Sequence, residues 1–197
     1  MNQDKQLKKD ALKTFWKTVG AAFGAHVGGV IIACLFCFGL ASLLADGYYF
    51  IMIPLILFLY SYPLYGTMWN AGLRDRNYGN RGHGKLRNTH GLVYVSVAII
   101  PVIVMAVLMV LSKFHLFDNF VVLFKILNAE IWPIVNAINP QMYLDRFDIW
   151  QILVISLLSV AVPLIIGEFG YYMGRCDISL KQKLIYKDDK KQPTVKK

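Results

Sequence analysis

The chain has 197 residues, 56% of them apolar, and its mean hydropathy is +0.47. A soluble globular domain averages about 45–50% apolar residues, so this composition argues against an ordinary soluble protein. The net charge of +9 does not indicate a nucleic-acid-binding protein, because the basic residues are grouped in three blocks that alternate with long apolar runs.

Four apolar runs predict four transmembrane helices, at about 19–45, 48–69, 91–111 and 149–173. A helix needs about 20 apolar residues to cross a hydrocarbon core about 30 Å thick, and a helix satisfies its own backbone hydrogen bonds in lipid. The first run is longer than the h-region of a signal peptide, so we expect it to be retained as a span. The predicted fold is an all-α integral membrane protein with a four-helix transmembrane bundle.

The distribution of Lys and Arg predicts the topology. Five lie in the arm before Val19, five lie between Asn70 and His90, and eight lie from Arg175 onward, whereas residues 112–148 hold three basic residues against four acids. Cytoplasmic loops collect Lys and Arg, so both termini and the middle loop are predicted to be cytoplasmic. We therefore expect a multi-pass protein of a cell membrane, that of a bacterium, with a cytoplasmic basic amphipathic arm at 1–18, a transmembrane domain at 19–173 and a cytoplasmic basic tail at 174–197.

The basic blocks also predict a partner. The cytoplasmic leaflet carries anionic lipid headgroups, which attract clustered Lys and Arg beside a membrane helix. The middle loop supplies five candidate contacts for these headgroups: Arg74, Arg76, Arg81, Lys85 and Arg87. We expect the lipid bilayer to be a partner of this protein, and we expect no nucleic-acid partner.

The segment between the third and fourth spans contains a fifth apolar stretch, Phe120–Ile138. Lys125 and Glu130 lie inside it, and a charge at a helix centre costs about 2.5–3.5 kcal/mol on insertion scales. A fifth span would also place the basic tail outside. The sequence therefore predicts an outer amphipathic helix at Phe117–Leu127, either interfacial or re-entrant, with Phe117, Phe120, Val121 and Phe124 on its apolar face.

Prolines lie within three of the predicted spans. Pro54 and Pro63 fall in the second, Pro101 in the third and Pro163 in the fourth. Each removes one backbone hydrogen bond of the helix, so kinks are expected.

Small residues recur in the first span. Gly20, Gly24 and Gly28 stand four apart, a spacing that lets helix backbones approach closely. We predict that this row packs inside the bundle. A homo-oligomer interface and a flexible gate are the alternatives.

Two polar residues stand inside apolar runs near the inner side, Glu168 in the fourth span and His26 in the first. Ionisable residues inside a membrane suggest function by default. Either Glu168 is a structural residue, or it is part of an ion or proton relay or a counter-charge for a substrate. His26 lies at a similar depth and is its candidate partner, although a packing histidine is the alternative.

The loops contain no catalytic set and no metal-ligand set, and no cofactor is predicted. Cys34 and Cys37 form a C-x-x-C pattern inside the first span, where packing is the expected role. The favoured function is a non-catalytic scaffold, assembly or accessory component of the membrane. The alternatives are a small transporter or channel, alone or as an oligomer, that uses Glu168 and His26, and a membrane enzyme acting on lipid.

Overall fold

The computed structural model describes residues 2–80, 90–114 and 120–178, and within these ranges the chain is helical with no strand. The α-helices are α1 Asn2–Gly39, α2 Ala41–Ala45, α3 Tyr49–Asn80, α4 His90–Ala98, α5 Ile100–Lys113, α6 Val121–Leu127, α7 Trp132–Ile138 and α8 Ile149–Arg175. Two short 3-10 turns, Ala129–Ile131 and Leu144–Arg146, precede α7 and α8.

Three helices, α1, α3 and α8, are long and apolar enough to cross a membrane, and the number rises to five if each of two bent helix pairs counts as one span. The basic arm is continuous with the first predicted span in the 38-residue α1, which extends for about 57 Å. The second span also continues past its predicted end at Trp69, as far as Asn80.

One predicted kink is confirmed. The third predicted span is divided into α4 and α5, whose axes differ by 58°. Pro101 stands at the start of α5, where its missing N–H removes a hydrogen bond that would continue α4. In contrast, α3 continues through Pro54 and Pro63, and α8 continues through Pro163.

Helix α3 is the centre of the bundle and packs most extensively against α8 and α1. Its buried face repeats at helical spacing: Met52, Ile56, Tyr60, Leu64, Met68 and Ala71. The facing side of α1 consists of Thr18, Ala22, His26, Gly29, Ala33 and Cys37. A Cβ on Gly29 would lie 2.8 Å from the ring of Tyr60, so glycine permits this close approach.

Helix α8, which contains the fourth predicted span, begins at a capping motif. Asp148 and Gln151 form a capping box, in which each side chain accepts a hydrogen bond from the other residue's backbone N–H. This arrangement satisfies two donors that a helix start leaves unpaired, and it explains why α8 begins here.

The bent pair α6 and α7 packs beside the C-terminal half of α1 and the N-terminal half of α3. The two parts differ in direction by 98°. Ala129, at the bend, packs in one apolar cluster with Ala33 and Cys37 of α1 and with Met52 and Ile56 of α3. The bend therefore lies inside the bundle.

Candidate functional site

Four polar residues follow one another closely through the bend: Asn128, Glu130, Trp132 and Asn136. Asn128 interrupts the helix with φ −125° and ψ 50°, and its amide donates back to the Phe124 carbonyl at 3.1 Å. Pro133, in the first turn of α7, lacks an N–H, so α7 restarts in a new direction. Local sequence thus determines the break, and the break turns these side chains into the bundle.

These four residues carry most of the unpaired buried polar atoms. In the described ranges, seven buried side-chain nitrogen or oxygen atoms have no hydrogen-bond partner, and five of them belong here. They are Oδ1 of Asn128, Oε1 and Oε2 of Glu130, Nε1 of Trp132 and Oδ1 of Asn136. An unpaired buried polar group costs about 1–3 kcal/mol, so a concentration of such groups is a place where ordered water, an ion or another ligand would bind.

Glu130 is the centre of this cluster, which we name the bend cluster. Its side chain is 0% exposed. The carboxyl lies close enough to the Tyr60 hydroxyl and the Cys37 thiol to interact with both electrostatically. Tyr60 in turn shares a 2.8 Å hydrogen bond with Nδ1 of His26. Groups from α1 and α3 therefore lie near the acid on the bent pair.

A cavity of about 270 Å³ lies beside the bend cluster. Cys37, Trp132 and Asn136 line one part of it, and Cys37 donates to the Ala129 carbonyl at 3.7 Å. The remaining lining is mostly apolar and comes from Phe38, Ala41, Leu44, Ala45, Tyr49, Pro140 and Met142. Phe38 and Trp132 stack edge to face with their ring centres 5.1 Å apart. The cavity thus has apolar and aromatic walls and a polar back.

The outer helix differs from the sequence-based expectation. Val121 and Phe124 are buried as predicted, and Phe120 is half-buried, whereas Phe117 lies outside the described residues. Lys125, however, is 1% exposed, and its amine donates to the Gln141 carbonyl at 3.1 Å. An interfacial helix would keep its charged side in water, so the burial of Lys125 favours the re-entrant alternative, which stays a prediction.

Glu168 faces α4. The Leu92 N–H, in the first turn of α4, donates to its carboxylate, and Oε2 lies against Gly91, where a Cβ would overlap it. The first N–H groups of a helix have no partner within the helix, and a carboxylate there also favours the helix dipole. Glu168 thus caps a neighbouring helix. The predicted pair with His26 is wrong, because His26 is bonded to Tyr60 instead.

The glycine row lies on the outer surface of α1. Gly20 and Gly24 are exposed, and a Cβ on Gly20, Gly24 or Gly28 would meet no atom of the described residues within 4 Å. Packing of this row inside the bundle is therefore wrong; Gly29 makes that contact. Its role as an interface between chains stays a prediction.

A second polar group of side chains joins four helices at the opposite end from the cavity, and we name it the Asp75 clasp. Oδ2 of Asp75 accepts hydrogen bonds from the hydroxyls of Tyr94 and Tyr171, both at 3.1 Å. Oδ1 accepts from Arg74 at 2.9 Å, and Arg74 also donates to Thr18 at 2.9 Å. The clasp therefore ties α1, α3, α4 and α8 together.

Two of the five basic residues of the middle block lie in the described part of the chain. Arg74 belongs to the clasp, and Arg76 forms a 2.7 Å ion pair with Asp177. Both guanidinium groups remain partly exposed. Arg81, Lys85 and Arg87 lie outside the described residues.

No group of three or more His, Cys, Asp or Glu residues that would hold a metal ion occurs in the part of the chain that the structure describes. Comparison with protein-family models, curated proteins and solved structures finds no match. Function has to be inferred from the bend cluster itself.

The bend cluster left one signal in the sequence. An otherwise apolar stretch is interrupted by Lys125, Asn128, Glu130 and Asn136. In the sequence analysis the polar residues of this stretch served only as evidence against a fifth span. Tyr60 left no signal, because a tyrosine in a span is ordinary and its partner lies 34 residues away.

Proposed function

We propose that this protein is a small transporter or channel for a monovalent cation, and that Glu130 binds the cation inside the membrane. The supporting observation is that the Glu130 carboxyl is completely buried and that neither of its oxygens is hydrogen-bonded to another residue. An ionisable residue is costly in a membrane interior, so its presence there suggests an ion pathway or a proton relay.

The proposed topology has four spans: α1, α3, the bent α4–α5 pair and α8. Both termini and the loop at 81–89 face the cytoplasm of a bacterial plasma membrane, as the Lys and Arg distribution indicates. The bent pair α6–α7 then enters the bundle from outside and returns without crossing. Its non-helical backbone at Asn128 is tolerated there because it is surrounded by protein.

In this arrangement the cavity opens toward the outside and the Asp75 clasp closes the inner side. A broken helix at a binding site is a recurring feature of transporters, because unwound backbone and polar side chains replace the water around an ion. His26 and Tyr60 extend the polar groups beyond Glu130 toward the inner half of α1 and α3. A separation of the clasp tyrosines from Asp75 is the proposed inner opening.

Proteoliposomes test this function. The dissipation of an imposed pH gradient and of an imposed potential is measured with Na⁺, K⁺ or ammonium outside. We expect faster dissipation than in empty liposomes with at least one cation, and a loss of about tenfold or more in Glu130→Gln. Glu168→Gln is the matched control, because it removes an intramembrane acid with a capping role, and it should retain the flux. Correctly inserted protein with no flux for any of these ions contradicts the proposal.

A second candidate function is a non-catalytic accessory or scaffold protein, and the exposed glycine row favours it. Small residues on a lipid-facing helix surface permit close contact with another helix, from a second copy or from a different membrane protein. A native pull-down in mild detergent distinguishes the two candidates. A stoichiometric foreign subunit that is lost in Gly24→Leu supports the accessory function.

Anionic lipids remain the proposed contact of the middle basic block. Arg74 and Arg76 are engaged within the chain but partly exposed, so each has donors left for a phosphate. Binding to vesicles that contain phosphatidylglycerol, compared with phosphatidylcholine alone, tests this contact.

A further inference from the structure

We infer that the ligand of the bend cluster is a small primary alkylammonium ion, which enters through the 270 Å³ cavity. This inference rests on the proposed function, because it names the class of cation that Glu130 binds. Three properties of the site carry it: its charge, its balance of donors and acceptors, and the surface of the cavity.

The charge of the site is a single unpaired negative charge when Glu130 is ionised. The nearest cation along the chain is Lys125, and its amine donates to the Gln141 carbonyl at 3.1 Å. The site therefore suits a ligand with one positive charge. A divalent metal would need more anionic ligands than the described residues provide.

The balance of hydrogen-bonding groups favours a donor-rich ligand. The acceptors without a partner from another residue are two oxygens of Glu130 and one each of Asn128 and Asn136, whereas the donor without one is Nε1 of Trp132. A primary ammonium group has three N–H donors and no acceptor. A primary ammonium can therefore donate a directed hydrogen bond to several of these acceptors. An alkali ion contacts oxygens without such direction, and a quaternary ammonium has no N–H to donate.

The cavity favours an ammonium ion with a short apolar chain. Phe38, Leu44, Tyr49 and Met142 offer apolar and aromatic surface beside Trp132. Aromatic faces attract organic cations, most strongly in the case of tryptophan. Pockets for drug-sized ligands have volumes of about 300–1,000 Å³, so this cavity suits a smaller molecule.

The experiment measures binding to the purified full-length protein in detergent by isothermal titration calorimetry. The probes are n-butylammonium chloride, tetramethylammonium chloride and n-butanol, all at matched ionic strength. We expect n-butylammonium to bind about tenfold or more tightly than the other two, because only it forms charge-assisted hydrogen bonds. Glu130→Gln should lose about tenfold in affinity, and Glu168→Gln should bind like the wild type.

Equal affinity for n-butanol and n-butylammonium overturns the inference, since the cavity then binds apolar molecules without recognising charge. If Glu130→Gln does not fold, Asn136→Ala is tested in its place. An unchanged affinity of Asn136→Ala for n-butylammonium overturns the inference, and a loss of about threefold or more supports it.

The result separates this inference from the proposed function. Binding of n-butylammonium without transport in proteoliposomes contradicts the transporter and leaves the binding site standing. Transport of Na⁺, K⁺ or protons without binding of n-butylammonium contradicts the ligand class alone.

Discussion

Nδ1 of His26 lies 2.8 Å from the hydroxyl oxygen of Tyr60, and the two rings meet edge to face at 5.7 Å. The pair joins α1, about two thirds of the way along it, to α3, about one third of the way along it. His26 is 4% exposed and Tyr60 is 0% exposed, so neither has access to water as a substitute partner. This contact explains how a histidine is accommodated in the first span.

Tyr60→Phe should therefore destabilise the protein. The substitution keeps the ring but leaves a buried imidazole nitrogen unpaired, at a cost of about 1–3 kcal/mol. Denaturant titration in mixed micelles measures the change in the free energy of unfolding. Tyr62→Phe is the control, because Tyr62 is 77% exposed, and it should change stability by less than about 0.5 kcal/mol. Equal effects of the two substitutions contradict a structural role for the His26–Tyr60 bond.

Two glycines of α1, five residues apart, should differ in how a larger side chain affects stability. A Cβ on Gly29 would contact the ring and the carbonyl of Tyr60 at 2.8 and 2.9 Å, whereas Gly24 has open space. Gly29→Leu should cost about 1–3 kcal/mol or more, and Gly24→Leu should leave the monomer's thermal stability unchanged. Oligomer mass is measured in parallel. A lower mass for Gly24→Leu identifies the glycine row as an interface, and an unchanged mass assigns it to lipid.

The Asp75 clasp should show coupling between its two tyrosines. Tyr94 and Tyr171 donate to the same oxygen of Asp75, so Tyr94→Phe and Tyr171→Phe should each cost about 1 kcal/mol or more. In Asp75→Asn the two single effects should shrink, because the charged acceptor has gone. A double-mutant cycle on unfolding free energies measures this. Strict additivity in both backgrounds contradicts a shared acceptor.

Loss of the Glu168 cap should affect α4 locally. Glu168→Ala removes the acceptor of the Leu92 N–H and should destabilise the protein by about 1 kcal/mol, with faster hydrogen exchange in the first turn of α4. Glu168→Gln retains an acceptor oxygen and should cost less. Faster hydrogen exchange around His26, with unchanged exchange at Leu92, would contradict the capping role of Glu168.

Labelling of single cysteines tests the proposed topology. Asn80→Cys, Asn119→Cys and Thr194→Cys are made in a background without the three native cysteines. An impermeant maleimide on intact cells should label only the variant at position 119, since the positive-inside rule places the other two in the cytoplasm. Labelling at position 194 but not at position 119 contradicts four spans.

The sequence by itself determined that the chain is helical and membrane-like, because hydropathy and helix length depend on composition along the chain and not on contacts. All four predicted runs lie in helices, and Pro101 marks an observed bend, since a missing N–H acts locally. The sequence also indicated that residues 120–138 differ from a simple span, through the charges and prolines they contain.

Only the tertiary structure decided which side chains meet. The glycine spacing predicted a close contact, but the rotation of α1 places Gly29 against α3 and turns Gly24 outward. Glu168 and His26 match in depth, yet they lie on faces that meet different helices, α4 and α3. Depth along a helix follows from residue number, whereas facing direction depends on how whole helices pack. The burial of Glu130 has the same origin: the sequence left open whether this charged segment is interfacial or re-entrant, and the 98° bend turns it into the interior of the bundle.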